Sequence, residues 1–174
     1  MSDLEKLAEI VDEMILQQDY PGFEPRSLKL GLPEIVENMN GRVFSHALGH
    51  ESVYVRLVAL RWFQERPGIA KAYLPAVIGL IDHKDEWVRL EAIRLSERIP
   101  RIPESAALKI SKRLTDESKL VRKAASKALG KILKRSVTKD PSVVDALKAA
   151  AQDEDVEVRF KAQKALRNIG EFVV

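Results

Sequence analysis

The sequence contains no cysteine, which excludes disulfide bonds, zinc–thiolate sites and cysteine nucleophiles. It has only three histidines, and it contains no H-E-x-x-H, no G-x-S-x-G and no glycine-rich phosphate loop. His46 and His50 have the i, i+4 spacing of a metal pair, but no third ligand follows at a suitable distance. We therefore expect a protein that is not an enzyme, with no cofactor and no metal site.

The sequence also lacks long hydrophobic runs, since no apolar stretch approaches the roughly 20 residues that a membrane-spanning helix needs. Its start, MSDLEKLAEIVDEM, is acidic and amphipathic, unlike a secretory signal. We expect a soluble, cytoplasmic protein with no membrane partner. The net charge is only +3, but residues 1–20 hold six acids and one base, which leaves 20 acids and 28 bases for the remainder.

What the sequence does contain is an internal repeat, which is marked by a recurring Val-Arg pair. The spacings between successive pairs are 33, 33 and 37 residues. The pairs are Val55-Arg56, Val88-Arg89, Val121-Arg122 and Val158-Arg159. Alanine follows four residues after each valine, and apolar residues recur seven and, in three copies, eleven residues after it. These offsets trace one face of an α-helix.

A second apolar stripe lies seven and eleven residues before each valine, so each repeat is predicted to be a helical hairpin. Good N-cap residues stand between the two helices, at Ser52, Asp85, Ser118 and Asp155. Because a hairpin this short cannot cover its own apolar face, neighbouring hairpins must stack. The sequence therefore predicts an all-α fold, a right-handed α-solenoid of about four hairpins.

The predicted organisation is a single domain over residues 1–174, with hairpins at about 34–66, 70–99, 103–134 and 140–170. Residues 1–20 are predicted to form an N-terminal capping helix with an apolar stripe, and Ser2 and Glu5 have the spacing of a capping box. A loop around DYPGFEPR joins this helix to the repeats. Gly170 is predicted to end the last helix.

The pattern D-x4-V-R-x2-A-x2-A-L occurs in DESKLVRKAASKALGKIL, residues 116–133, and in DEDVEVRFKAQKALRNIG, residues 153–170. It resembles the HEAT-like repeat of the phycobilin-lyase type over about three quarters of the chain. The resemblance implies a ladder in which the arginine after the valine bonds to an acidic residue of a neighbouring repeat. Asp116, Asp153, Arg122 and Arg159 match that ladder, whereas His50 and His83 occupy the acidic position in the first two repeats.

Basic residues concentrate on the predicted outward face of the second helices, at offsets 2, 6, 10 and 13 from each valine. Nine of these sixteen positions are basic, and only Glu65 and Glu171 are acidic. The nine are Arg61, Arg94, Arg98, Arg101, Lys123, Lys127, Lys131, Lys134 and Lys164. In HEAT-like solenoids the second helices line the concave side, so the resemblance implies a basic groove. The alternative is that these side chains only solvate exposed helices.

The residue before each valine forms a further column, with Tyr54, Trp87 and Leu120 in the first three repeats. These side chains either pack between repeats or, if exposed, offer turn-edge contacts to a partner. The last repeat carries Phe160 and ends in Phe172-Val173-Val174 with no polar cap, which suggests self-association through the C-terminal repeat.

The leading functional hypothesis is a non-catalytic interaction scaffold whose basic concave groove binds an acidic protein segment. One alternative is a nucleic-acid-binding module that resembles the HEAT-like alkylpurine DNA glycosylases. The other alternative is a bilin lyase subunit or a related chromoprotein factor, which rests on the repeat type alone.

Overall fold

The computed structural model describes residues 2–16, 34–136 and 139–171, and every regular element within those ranges is helical. The α-helices are α1 (Asp3–Leu16), α2 (Glu34–Glu37), α3 (Gly41–Ala47), α4 (Val53–Gln64), α5 (Pro67–Ala70), α6 (Leu74–Gly79), α7 (Glu86–Arg98), α8 (Glu104–Ser111), α9 (Lys119–Arg135), α10 (Pro141–Ala150) and α11 (Val156–Asn168). Short 3₁₀ segments occur at Lys71–Tyr73, Leu80–Asp82 and Lys112–Thr115. The predicted all-α class is confirmed.

The apolar columns of the sequence form the core, as predicted. The column valines and the alanines four residues later all have 0% of their surface exposed. Seven residues after the valine come Trp62, Leu95, Ala128 and Ala165, which are also buried. The stripes of the first helices are buried as well, at Phe44, Leu48, Val77, Ile81, Ile110, Leu114, Leu147 and Ala151. Helical hairpins therefore bury one continuous core by stacking.

The second helices of the hairpins stand side by side in the order α4, α7, α9 and α11, and each contacts the next along its length. The first helices touch one another less, so the row of second helices is the more tightly packed side of the stack. We call the surface formed by this row of second helices the second-helix face.

The closest approach within this row is between α9 and α11. A Cβ atom built on Gly130 would lie 2.7 Å from the Cβ atom and 2.8 Å from the Cα atom of Ala165. Real Cβ atoms do not approach other atoms so closely, so only glycine fits at position 130. The small side chain of Ala165 on the facing helix permits the same contact.

The helix ends agree in part with the predicted caps. Asp85 and Asp155 accept hydrogen bonds from the first amides of α7 and α11. Ser52 and Ser118 occupy the same positions without a side-chain capping bond, so for them the prediction was wrong. Gly170 ends α11 with a φ of +80°, and the amide of Glu171 donates to the carbonyl of Leu166 as a Schellman motif requires.

Helix α1 lies within the segment 1–20 and packs on α3 and α4, and its buried side chains are Leu7 and Val11. Its capping box is formed, because the amide of Glu5 donates to Ser2 Oγ at 3.2 Å and the amide of Ser2 donates to Glu5 Oε2 at 2.6 Å. The end of the predicted segment, residues 17–20, and the DYPGFEPR loop lie outside the described residues.

The arginine ladder that the resemblance implies joins the later hairpins. Arg89 Nη2 donates to Asp116 Oδ1 at 2.8 Å, and Arg122 Nε donates to Asp153 Oδ2 at 2.9 Å. The hydrogen bonds that both arginines donate to the two aspartates raise the pKa of the arginines, against the opposing effect of burial. Each arginine also donates to carbonyls of its own hairpin's turn, so it locks two hairpins at once.

His83 interrupts this ladder at the first junction. Its Nδ1 atom accepts from the Asp85 amide at 3.0 Å, which is the turn-stabilising role that Asp116 performs one hairpin later. An imidazole supplies no negative charge to Arg56, whose Nη1 atom donates instead to the Leu48 carbonyl at 2.9 Å. Within the described residues Arg56 has no carboxylate partner. Burial lowers the pKa of His83, and the nearby charge of Arg56 lowers it further.

The candidate basic surface of the second helices

Most of the basic residues singled out from the sequence lie on the second-helix face. Arg61 is on α4, Arg94 and Arg98 are on α7, and Lys164 is on α11. The four remaining lysines are all on α9, at positions 123, 127, 131 and 134. Arg101 differs, because it lies in the turn after α7 with a left-handed φ of 53°. The stacking of the helices thus brings residues more than 100 positions apart in sequence onto one surface.

A buried glutamate, Glu91, holds the arginines at the N-terminal end of this surface. Its side chain is 2% exposed, and its Oε1 atom accepts from Arg94 Nη1 at 2.8 Å and lies 3.9 Å from Arg61 Nη2. Its Oε2 atom accepts from Gln64 Nε2 at 2.7 Å. Burial lowers the pKa of Arg61, while the charge of Glu91 opposes that shift. One carboxylate is therefore shared by two guanidinium groups.

A second buried glutamate, Glu97, has the same role beside α9. It is 5% exposed, lies 3.2 Å from the Nζ atom of Lys127 and also forms an ion pair with Lys131. Its backbone carbonyl accepts from Arg135 Nη2 at 3.1 Å. Here too one carboxylate is shared by two cations.

Two further basic residues have partners of their own. Lys123 Nζ lies 2.8 Å from Glu157 Oε2 on the next second helix, and this hydrogen bond and charge lower the pKa of Glu157. Arg98 Nη1 donates to the Gln64 carbonyl at 2.8 Å and lies 3.5 Å from Glu65 Oε1. Six of the nine basic residues are thus in ion pairs.

The carboxylates that pair with these cations are the part of the site that the sequence analysis missed. Glu91, Glu97 and Glu157 fall outside the four offsets that were counted, so the face appeared to carry only two acids. One signal was available, because Glu91 occupies a column that holds Val58 and Ala124 in neighbouring repeats. A charge in a buried column requires a partner.

The assignment of offset 2 to the outward face was wrong for the first two repeats. Leu57 and Leu90 occupy this offset and are each 1% exposed, because this side of a second helix packs against the next hairpin. Lys123 is half-buried at the same offset. Phe160 occupies this position in α11 and is 52% exposed.

Three of the nine basic residues, Arg101, Lys134 and Lys164, have no ion pair within the part of the chain that the structure describes. All three are exposed. Since Glu91 and Glu97 are each shared by two cations, the second-helix face keeps an excess of positive charge. That excess is greatest on α9 and α11.

The turn-edge residues Tyr54, Trp87 and Leu120 are half-buried and pack against the core. His46 is exposed on α3, while His50 Nδ1 accepts from the Ser52 amide at 3.1 Å. The described ranges contain no group of three or more histidine, aspartate or glutamate residues placed to hold a metal ion. Those ranges also contain no helix with the length and apolar character needed to cross a bilayer.

A family model for HEAT repeats matches residues 107–172, which comprise the last two hairpins. No curated protein matches the chain. This match covers 66 of the 174 residues, so the sequence comparison indicates a likeness to HEAT repeats in the C-terminal part of the chain.

Solved structures extend the likeness to the whole chain. An engineered protein from the Northeast Structural Genomics Consortium is 21% identical with a TM-score of 0.64, over 97% of this chain and 80% of that one. A designed armadillo repeat protein in complex with the peptide (KR)4 is 19% identical with a TM-score of 0.57, over 95% of this chain and 91% of that one. An archaeal HEAT-like repeats protein from Thermococcus onnurineus NA1 is 15% identical with a TM-score of 0.52, over 100% of this chain and 83% of that one. The chain thus has the fold of HEAT- and armadillo-like repeat proteins.

Proposed function

We propose that the protein is a non-catalytic interaction scaffold whose second-helix face binds an acidic protein segment. The observation that supports this proposal is the sharing of Glu91 and Glu97, each between two cations, which leaves the face with a net positive charge. An acidic segment placed there neutralises this excess without requiring any existing ion pair to break.

The similarity in fold supports a protein partner. A designed armadillo repeat protein of similar fold is solved in complex with a peptide, so proteins of this fold can take a peptide as a partner. The (KR)4 peptide is itself basic, so it supports a peptide as the class of partner but does not support an acidic one. For this chain the positive charges of Lys127, Lys131, Lys134 and Lys164 favour a partner of negative charge.

The pairing of the cations also refines where the segment binds. Arg61 and Arg94 are held by Glu91, and Arg98 and Lys123 pair with Glu65 and Glu157 of neighbouring repeats. The strongest contacts with an acidic segment therefore lie on α9 and α11. The phycobilin-lyase subtype of the repeat and the nucleic-acid alternative remain predictions from the sequence.

Binding of a fluorescein-labelled peptide of eight glutamates, followed by anisotropy at low salt, tests the proposal. We expect wild-type protein to bind with an affinity that falls steeply with salt. Changing Lys127, Lys131 and Lys164 to Glu should weaken binding at least tenfold. The matched control changes Lys71, Lys112 and Lys148 to Glu, which alters the net charge equally on the first-helix side and should leave at least half of the affinity.

Equal loss in both triple variants would show that only net charge matters and would overturn the proposal. A duplex of 20 base pairs that binds more tightly than the peptide, and loses binding in the first triple variant, would favour the nucleic-acid alternative. Since duplex binding depends on many cations at once, its affinity would also have the steeper salt dependence.

A further inference from the structure

Four lysines surround a small cavity between α9 and α11 on the second-helix face. The cavity has a volume of about 110 Å³ and is lined by Lys127, Gly130, Lys131, Lys161, Lys164, Ala165 and Asn168. Gly130 and Ala165 are the residues at which the two helices make their closest contact. The remaining lining residues are long polar side chains, two from α9 and three from α11. The cavity thus has basic side chains at its border and a tight helix contact at Gly130 and Ala165.

The charge around this cavity is poorly compensated. Glu97 is the one carboxylate that pairs with these lysines within the described residues, and it serves both Lys127 and Lys131. Lys161 and Lys164 have no ion pair within the same ranges, and Lys161 Nζ lies 5.5 Å from the ring centroid of Phe160. Four ammonium groups against one carboxylate leave three positive charges uncompensated.

The cluster around Glu91 shows how the same face is arranged where each cation has a carboxylate partner. There a single buried carboxylate lies between two guanidinium groups, and Gln64 donates to its second oxygen. No carboxylate fills the corresponding place beside Lys161 and Lys164 among the described residues. Like charges held together raise the free energy of the folded protein, and a bound anion relieves that cost.

We propose that this cavity binds a phosphate monoester, supplied by a phosphorylated side chain of a protein partner. The inference rests on the proposed function, because the phosphate would lie on the segment that the second-helix face binds. A phosphate monoester carries about −1.5 to −2 charges near neutral pH and three acceptor oxygens, so it matches the excess charge better than one carboxylate does. The lysine ammonium groups and the Asn168 amide supply donors for those oxygens.

The arrangement of charge favours an isolated phosphate over a nucleic-acid backbone. A nucleic acid presents a continuous series of phosphates, and it needs unpaired cations along the whole path. Away from this cavity, the cations of α4 and α7 on this face are held by Glu65 and Glu91. The cavity is therefore one anion site beside a row of arginines on α4 and α7 that already have carboxylate partners.

Titration of the full-length protein with inorganic phosphate, followed by amide NMR, tests the site itself. We expect saturable shifts of amides near Lys127–Lys131 and Lys161–Asn168, with tighter binding at pH 7.5 than at pH 5.5 because the dianion is lost as phosphate is protonated. The double variant Lys161→Gln, Lys164→Gln should weaken phosphate binding at least tenfold. The matched double variant Lys71→Gln, Lys112→Gln, on the first-helix side, should change it less than threefold.

Absence of saturable shifts, or equal weakening in both double variants, would overturn the inference. Two peptides of identical acidic sequence, one with serine and one with phosphoserine, separate it from the proposed function. We expect the phosphopeptide to bind wild-type protein at least tenfold more tightly, and the difference to fall below threefold in the Lys161→Gln, Lys164→Gln variant.

The two proposals fail in different ways in these experiments. If both peptides bind equally well, the scaffold function stands and the phosphate site is wrong. If inorganic phosphate binds in the cavity but neither peptide does, the anion site stands, while the acidic protein segment and its phosphorylated side chain are wrong. If duplex DNA displaces the phosphopeptide but gives no amide shifts at Lys161–Asn168, the DNA occupies another surface and the phosphate site stands.

Discussion

At the scale of single residues, His83 makes the first junction of the stack different from the later ones. It preserves the turn by accepting a hydrogen bond from the Asp85 amide, but it leaves Arg56 without the carboxylate that Arg89 and Arg122 have. The geometry of the turn therefore needs an acceptor at this position, and only the ladder needs a negative charge. Histidine meets the first requirement alone.

Changing His83 to Asp should complete the ladder at this junction. Since a partly buried guanidinium–carboxylate pair contributes about 0.5–1 kcal/mol, we expect the free energy of unfolding to rise by that amount. Urea unfolding at pH 7.5, followed by circular dichroism, measures the change. His46→Asp, on the exposed face of α3, is the control and should give no gain. Destabilisation by the His83→Asp change would contradict the interpretation.

The same histidine predicts a dependence of stability on pH. Because burial and Arg56 lower the pKa of His83 in the folded state, the unfolded chain takes up this proton first as the pH falls. The neutral His83 therefore contributes to the free energy of unfolding. This contribution is complete above about pH 6.5, the ordinary pKa of histidine in the unfolded chain, and it is lost as the pH falls through the lower pKa of His83 in the folded protein. His83→Asn keeps an acceptor for the Asp85 amide and removes the titration.

We therefore expect the urea midpoint of the wild-type protein to fall between pH 7.5 and pH 5.0 by more than that of the His83→Asn variant. Urea unfolding curves of both proteins at the two pH values measure this difference. An identical fall in both proteins would show that His83 does not contribute.

At the scale of helices, the contact between α9 and α11 depends on a residue without a side chain. Gly130 lies in the interior of α9, where glycine costs helix stability relative to alanine. Its place there follows from the closeness of Ala165, which leaves no room for a methyl group. Packing between hairpins therefore overrides helix propensity at this position.

Gly130→Ala should destabilise the protein by about 1–3 kcal/mol, because the added methyl group forces α9 and α11 apart. The matched control is Gly79→Ala in α6, where a Cβ atom meets nothing within 4 Å. That change should be neutral or stabilising by about 0.5–1 kcal/mol through helix propensity. Thermal unfolding of the two variants beside the wild type measures both effects, and a stable Gly130→Ala variant would contradict the close contact.

At the scale of the whole molecule, the C-terminal hairpin presents the face that earlier hairpins use to bind their successors. Leu57 and Leu90 occupy offset 2 of their helices and are each 1% exposed, and Lys123 at the same offset pairs with Glu157 of the next hairpin. Phe160 lies at the same offset in α11, and Val156, one turn earlier, is 65% exposed. This apolar face supports the hypothesis of self-association through the last hairpin, while Phe172-Val173-Val174 lie outside the described residues.

Phe160→Lys tests that hypothesis, because the previous repeat already has a lysine at this offset. We expect the mass measured by light scattering at high protein concentration to exceed that of the monomer for the wild type and to fall toward it for the variant. Ile69→Lys, at an exposed site near α5, is the control and should leave association unchanged. A monomeric wild-type protein at the same concentration would exclude this interface.

The sequence by itself determined the helical hairpins and their core. Helix periodicity places the column residues on one face, and a hairpin with such a face must stack, so the buried columns follow from local pattern and the hydrophobic effect. The ladder partners Asp116 and Asp153 were implied by the resemblance to HEAT-like repeats, whose acidic position they occupy.

Only the tertiary structure decided which charges on the second-helix face are paired. Glu91 lies 27 residues after Gln64 and Glu97 lies 30 residues before Lys127, so these contacts depend on the distance and rotation between whole helices. A rotation of a few tens of degrees decides whether offset 2 faces solvent or the next hairpin, and periodicity within one helix does not define that angle. Packing between the helices fixes this rotation. It therefore also decides which cations of the second-helix face have a carboxylate partner among the described residues and which remain unpaired on α9 and α11.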